Sequence, residues 1–138
     1  MAERLLLDTC AVIWLSQAAK VSQQAMDAIG RARAPGGSVS VSVMTAWELG
    51  MLVSKGRVAS TMHPDRWFDE FVDRGRVAVA PVTPVLLVAS SYLPGAVHGD
   101  PVDRIIIATA REHGLTIVTR DRAILDYGAA GHVRVLAC

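Results

Sequence analysis

Short apolar runs alternate along the chain with longer amphipathic stretches, and the alternation predicts the elements. Arg4–Leu7 is a compact apolar run that ends at Asp8, and residues 9–16 (TCAVIWLS) read as a helix begun by Asp8 or Thr9. Residues 21–34 have the spacing of an amphipathic helix, closed by the turn Pro35-Gly36-Gly37. Ser38–Val43 alternates Ser and Val with the two-residue period of a strand. Helices are predicted from Thr45 to Lys55, ended by Gly56, and over 64–74, where His63-Pro64 opens the element and Trp67, Phe68 and Phe71 share its apolar side. Gly75 stops that helix, Val77–Ala80 reads as a short strand, and residues 83–92 read as a helix. Residues 101–113 form the next helix, with Gly114 where a C′ glycine belongs. Leu115–Thr119, Asp121–Tyr127 and Val133–Leu136 then read as strand, short helix and strand.

One stretch is ambiguous by propensity. Ile105-Ile106-Ile107 is a β-branched triplet suited to a strand. Pro101 fits a first helical position, however, and the run continues through Ala108-Thr109-Ala110-Arg111-Glu112-His113 to a glycine stop, so length favours a helix. Strands alternating with helices, with no linker or repeat between them, predict a single α/β domain over 1–138. Its centre is a parallel sheet of four to five strands with helices on both faces. In such folds the ligand site lies beyond the carboxyl ends of the strands.

Composition narrows the class. The 138 residues are 51% hydrophobic and 20% charged, enough for one buried sheet and too apolar for a disordered chain. A net charge of +1 gives no global basic field for nucleic acid. Among 14 basic residues only Lys20 and Lys55 are lysines; coding bias explains that more readily than phosphate recognition does, so only individually placed arginines carry weight. Cys10 and Cys138 have no framework or metal spacing and read as free thiols. No signal-peptide or membrane-spanning run is present in the sequence, so a soluble, cytoplasmic protein is expected.

The candidate chemistry lies in acids at strand ends. Asp8 ends the first strand, Glu48 follows the strand 38–43 by about a helical turn, Asp100 and Asp103 open the helix 101–113, and Asp121 follows the strand 115–119. Each also has a local explanation. Asp8 and Asp121 can cap the helices after them, Thr45-Ala46-Trp47-Glu48 has capping-box spacing, and Asp100-Pro101-Val102-Asp103 reads as cap, proline and first-turn acid. Together they pose a different problem. Two carboxylates ~5 Å apart repel by about 3 kcal/mol at an effective dielectric near 20, and helix N-termini return only ~0.3–1 kcal/mol each. Either the acids do not converge, or a divalent cation compensates them. An all-oxygen set suits Mg2+ or Mn2+, and those ions serve phosphoryl chemistry. Of the scattered histidines, His98 alone neighbours an acid, where a substrate role and a structural role are equally open.

These residues carry a family resemblance. Leu6-Leu7-Asp8-Thr9 leading into a helix with Trp14, Ser42-Val43-Met44-Thr45-Ala46-Trp47-Glu48-Leu49, His98-Gly99-Asp100-Pro101-Val102-Asp103-Arg104 running into Ile107-Ala108-Thr109-Ala110, and Val118-Thr119-Arg120-Asp121 resemble, in order and spacing, the four motifs of PIN-domain proteins of the VapC toxin type. The resemblance implies a three-layer α/β/α fold and an Mg2+-dependent endoribonuclease, with Mn2+ able to substitute, that leaves a 5′-phosphate and a 3′-hydroxyl. It places Asp8 and Asp103 as principal metal ligands, with Glu48 and Asp121 completing the catalytic quartet directly or through water. Asp100 belongs to an extended form of the third motif, with an accessory role. Thr9 and Thr119 fall where hydroxyls hold the carboxylates, although core packing explains Thr119 equally well. Many relatives carry His where Cys10 stands, so the interaction that His would make is lost or replaced here.

Arg104 and Arg120, each beside an acid, are candidates for gripping the RNA backbone, with surface ion pairing as the alternative. The resemblance further implies a homodimer and a VapB-like antitoxin that covers the acidic cleft. Trp14–Leu15 and Met51–Leu52 are apolar faces for such contacts unless they are core. Other classes fit less well. An aspartyl-phosphate hydrolase needs a second aspartate that Asp8-Thr9-Cys10-Ala11-Val12 lacks, and a receiver domain needs a lysine after a late strand. A PIN nuclease of RNA processing and a non-catalytic RNA- or protein-binding PIN-like domain stay as alternatives.

Overall fold

The computed structural model describes residues 2–97 and 99–138. Its strands are β1 (Arg4–Leu7), β2 (Ser38–Ser42), β3 (Ala78–Ala80), β4 (Thr116–Thr119) and β5 (Arg134–Ala137). They form one all-parallel sheet in the order β3-β2-β1-β4-β5. Leu7 registers with Val41 on one side and Val118 on the other. The chain therefore winds outward from β1 through β2 to β3, then crosses back to β4. That reversal makes the carboxyl ends of β1 and β4 the topological switch point, where α/β sheets open a crevice.

The helices are α1 (Thr9–Ser16), α2 (Gln23–Ala32), α3 (Val43–Ser54), α4 (Pro64–Gly75), α5 (Pro84–Ser91), α6 (Pro101–His113) and α7 (Arg122–Ala129). Side chains of a strand point alternately to its two faces, and β1 shows the consequence. Leu5 and Leu7 join Val12, Val41, Leu49, Trp67 and Phe68 in one core, while Leu6 joins Ile106, Ile107, Ile117 and Ile124 in the other. Both faces are covered, which gives the expected three-layer α/β/α arrangement. A smaller cluster of Leu86, Ile105 and Ala108 seats α5 on α6. The isoleucine triplet thus belongs to a helix, as its length implied, and all three side chains are buried because α6 packs between the sheet and α5.

Some boundaries differ from expectation for local reasons. The helix expected from Thr45 begins at Val43, because Ser42 caps it by accepting from Met44 N at 3.0 Å. Thr45 lies inside the first turn and is fully buried, so Thr45 and Glu48 do not form the capping box their spacing suggested. The helix expected over 21–34 is shorter, opened by Ser22, whose hydroxyl accepts from Ala25 N. Gly114 ends α6 with φ 65°, as its position implied. Gly128 is required by contact: a β-carbon there would stand 2.3 Å from Val135 Cγ2, so glycine lets α7 approach β5. Among the described residues, no helix is long and apolar enough to cross a membrane.

Candidate metal centre

The carboxyl ends of β1 and β4 open onto a pocket of about 340 Å³ whose walls include Asp8, Thr9, Cys10, Trp14, Glu48, Asp100, Asp103, Arg120 and Asp121. All five sequence-predicted acids reach it, although they come from four separate parts of the chain. The strand ends deliver Asp8 and Asp121, α3 delivers Glu48 and the first turn of α6 delivers Asp103, with Asp100 just before it.

Asp8 is the most deeply held. It is 5% exposed, with Oδ1 accepting from Thr9 N at 2.7 Å and Oδ2 from Thr119 Oγ1 at 2.7 Å. The Cys10 thiol approaches the same Oδ2 at 3.5 Å. Burial raises the Asp8 pKa above the ordinary carboxylate value; the Thr119, Thr9 and Cys10 hydrogen bonds oppose the rise, and the charge of Asp121 adds to it. Thr119 also accepts from Asp121 N at 2.9 Å, so one buried hydroxyl couples the two acids that end β1 and β4. That fits the carboxylate-holding place expected for it better than packing alone. Thr9 pairs with Thr45 across 3.0 Å in the buried floor.

Capping and convergence turn out to coexist. Asp100 Oδ1 accepts from Val102 N and Asp103 N, and Asp121 Oδ2 accepts from Ile124 N. Glu48 caps nothing, and its Oε1 is buried without a hydrogen-bond partner. Burial pushes its pKa up, and Asp8, Asp100 and Asp121 push it further against a lowering contribution from the Thr9 hydroxyl. Asp103 shows the crowding most clearly. Burial, followed by the charges of Asp8, Asp100, Asp121 and Glu48, pushes its carboxyl up to about 8.

Among the described residues, no three of these side chains close into a ready-made cage. The donor set nonetheless fits a hard cation that keeps several waters and needs only one or two carboxylates, as Mg2+ does. Glu48 Oε1 is the sort of orphaned buried acceptor that an ion or its water explains.

The two arginines differ. Arg104 is half-buried and donates to the carbonyls of Ser90, Ser91 and Val97, tying the end of α5 to α6. Arg120 lines the pocket, with its guanidinium carbon 3.6 Å from the centroid of the Trp14 ring. Neither this stack nor the Thr9–Thr45 pair was visible in sequence, because both join distant segments. Cys10 stands beside Asp8, and burial together with the Asp8 charge pushes its thiol up to about 12, so it stays protonated at neutral pH. Both cysteines are free. His98 lies outside the described residues. A larger hollow of about 800 Å³ opens beside the start of β4 and β5, but it lacks acids, and Arg111 and Arg134 there donate to the carbonyls of His132 and Gly114.

A parallel five-stranded sheet with acids gathered at its switch point defines the PIN-domain class, and the chain belongs to the PIN domain family, whose model matches residues 5–130. Within it, the chain is 31% identical over 124 residues to Ribonuclease VapC22 of Mycobacterium tuberculosis, covering 89% of this chain and 91% of that one. Among solved structures it resembles VapBC2 from Rickettsia felis bound to a DNA fragment from their promoter, with a TM-score of 0.69 at 15% identity over 97% and 98% of the two chains. It also resembles DNA-bound VapBC from Salmonella typhimurium, with a TM-score of 0.66 at 16% identity over 99% and 98%. At these identities the structural likenesses speak for the fold.

Proposed function

We propose that the protein is a Mg2+-dependent endoribonuclease, the toxin of a VapBC-type toxin–antitoxin pair. The observation that carries this reading is the convergence of five acids, from four separate parts of the chain, on one pocket, where Asp8, Asp100, Asp121 and Glu48 all act on the Asp103 carboxyl. A fold that gathers that much like charge is built around a compensating cation. The relative named as a ribonuclease supports RNA as substrate, and the toxin–antitoxin neighbours support the toxin role.

Asp8 and Asp103 would hold the ion, with Glu48 and Asp121 completing the site directly or through water. Mn2+, which accepts the same oxygen donors, would substitute. When bound, the cation supplies Lewis-acid polarisation of the phosphate and a more acidic water. The chain supplies the rest. Thr119 and Thr9 N fix the Asp8 carboxylate from two sides, so it enters the site already oriented. A quartet carboxylate accepts the proton of the attacking water. The new P–O bond forms as the P–O3′ bond breaks, and the departing O3′ takes a proton from solvent water, leaving a 5′-phosphate and a 3′-hydroxyl. Asp100 steadies the start of α6, and through it Asp103. Arg104 sets the α5–α6 packing, and backbone gripping falls to Arg120.

A VapB-like antitoxin and a homodimer complete the proposal. α5 exposes Val85 and Val88 at 72% and 60%, with Tyr92 just beyond it, on a segment without charged residues from Val77 to Val97. An apolar face of that kind suits a second copy of the chain. Incubating a single-stranded RNA with the protein tests the nuclease reading. Cleavage should require Mg2+, stop with EDTA and vanish in Asp8→Asn while the circular dichroism spectrum is retained. Full activity in Asp8→Asn would overturn the site.

A further inference from the structure

The pocket that would hold the cation presents five acids and, among the described residues that line it, a single cationic side chain, Arg120. An RNA strand reaching this pocket meets repulsion from five carboxylates and, among the described lining residues, attraction from that one side chain. Arg120 is also restrained. Its guanidinium carbon lies 3.6 Å from the centroid of the Trp14 ring, its Nη2 donates to the Lys20 carbonyl, and it lies close enough to the Cys138 thiol to offset part of that group's raised pKa. Trp14 belongs to α1, the helix that Asp8 begins, and Arg120 precedes Asp121, so the stack joins the two segments that carry the acids at the switch point.

We propose that Trp14 is a positioning residue for the nuclease reaction: stacked against Arg120, it holds the guanidinium fork at the pocket rim, where it clamps the RNA phosphate next to the one being cut. This rests on the ribonuclease reading above. A long arginine left free would have to be ordered with each substrate, whereas a stacked one enters the encounter with its plane and direction set. The role is distinct from chemistry, because neither side chain carries the proton or the metal.

The test is steady-state cleavage of a short single-stranded RNA with Mg2+, together with the salt dependence of binding of the same labelled RNA to Asp8→Asn protein. Arg120→Ala should raise KM about tenfold with a much smaller change in kcat. It should also lower the slope of log affinity against log salt by about 0.7, the value of one phosphate contact on a single strand. Trp14→Ala should raise KM about three- to tenfold, Trp14→Phe should restore it to within about twofold, and the Trp14→Ala/Arg120→Ala double variant should be no worse than Arg120→Ala alone. Should Trp14→Ala fail to fold, Arg120→Lys asks the same question while keeping the charge and losing the planar stack: a KM rise of about threefold or more is expected. Wild-type protein that does not cleave RNA overturns the nuclease reading and this role with it. Cleaving wild-type protein whose KM ignores Trp14→Ala and Arg120→Lys, whose KM and salt slope ignore Arg120→Ala, or whose two alanine effects simply add, overturns the positioning role alone.

Discussion

Removing one acid should make the metal-free protein more stable while destroying its proposed activity. Asp103→Asn is the substitution to use, since Asp103 is half-buried, caps no helix and is held up to about 8 by burial and by Asp8, Asp100, Asp121 and Glu48. An unfolded aspartate titrates near 3.9. The native state therefore binds a proton that the unfolded state releases anywhere between those values. Stability contributed by this group is complete below about pH 3.9 and is lost as pH rises through about 8. A displacement of that size would be worth about 6 kcal/mol for a wholly buried group, but Asp103 is partly open to water, and screening reduces the effect to about 1–2 kcal/mol. For a chain of this length that is roughly 3–8 °C in Tm. The assay is thermal unfolding in EDTA at pH 7.5–8, then with saturating Mg2+. Asn should raise Tm without metal, flatten the decline between pH 5 and 8, and lose the gain Mg2+ gives wild type, about 2.7 kcal/mol at a hundredfold excess over Kd. A lower Tm than wild type in EDTA, with the Mg2+ response intact, would refute the crowding argument.

Three further outcomes follow from the same geometry. Thr119→Val keeps the shape but removes the hydroxyl that donates to Asp8 and accepts from Asp121 N; leaving those buried groups without it should cost about 1–3 kcal/mol in urea unfolding and weaken Mg2+ affinity in calorimetry. Gly128→Ala should destabilise the fold by more than 1 kcal/mol (an order-of-magnitude value for overpacking), because its β-carbon would overlap Val135; an unchanged urea midpoint would refute the contact. Val85→Asp with Val88→Asp should leave the monomer folded and shift light-scattering mass toward one chain, and a mass equal to wild type would remove α5 from the dimer surface.

Much of this was legible because its causes are local. Asp8, Asp100 and Asp121 begin helices, and Gly114 ends one, so caps and stops marked the strand ends where acids gather. The buried isoleucine triplet could be placed because a proline and a glycine thirteen residues apart bound one long helix. What sequence could not supply were contacts between distant segments. Ser42 displaced Thr45 as the cap of α3, and that shift carried Glu48 out of capping reach and left its Oε1 buried. Thr45 then paired with Thr9, and Trp14 found Arg120 more than a hundred residues away. Arg104 reads the same as Arg120 in sequence, beside an acid, yet the α5 carbonyls engage it.

Acids from β1, α3, α6 and β4 would share one divalent cation. Crystals soaked in Mn2+ and measured for anomalous scattering test it most directly. A peak is expected inside the acidic pocket at coordination distance, about 2.0–2.2 Å, from carboxylate oxygens of Asp8 and Asp103. A pocket with no peak at saturating Mn2+, or a peak bound only by residues outside it, would contradict the claim.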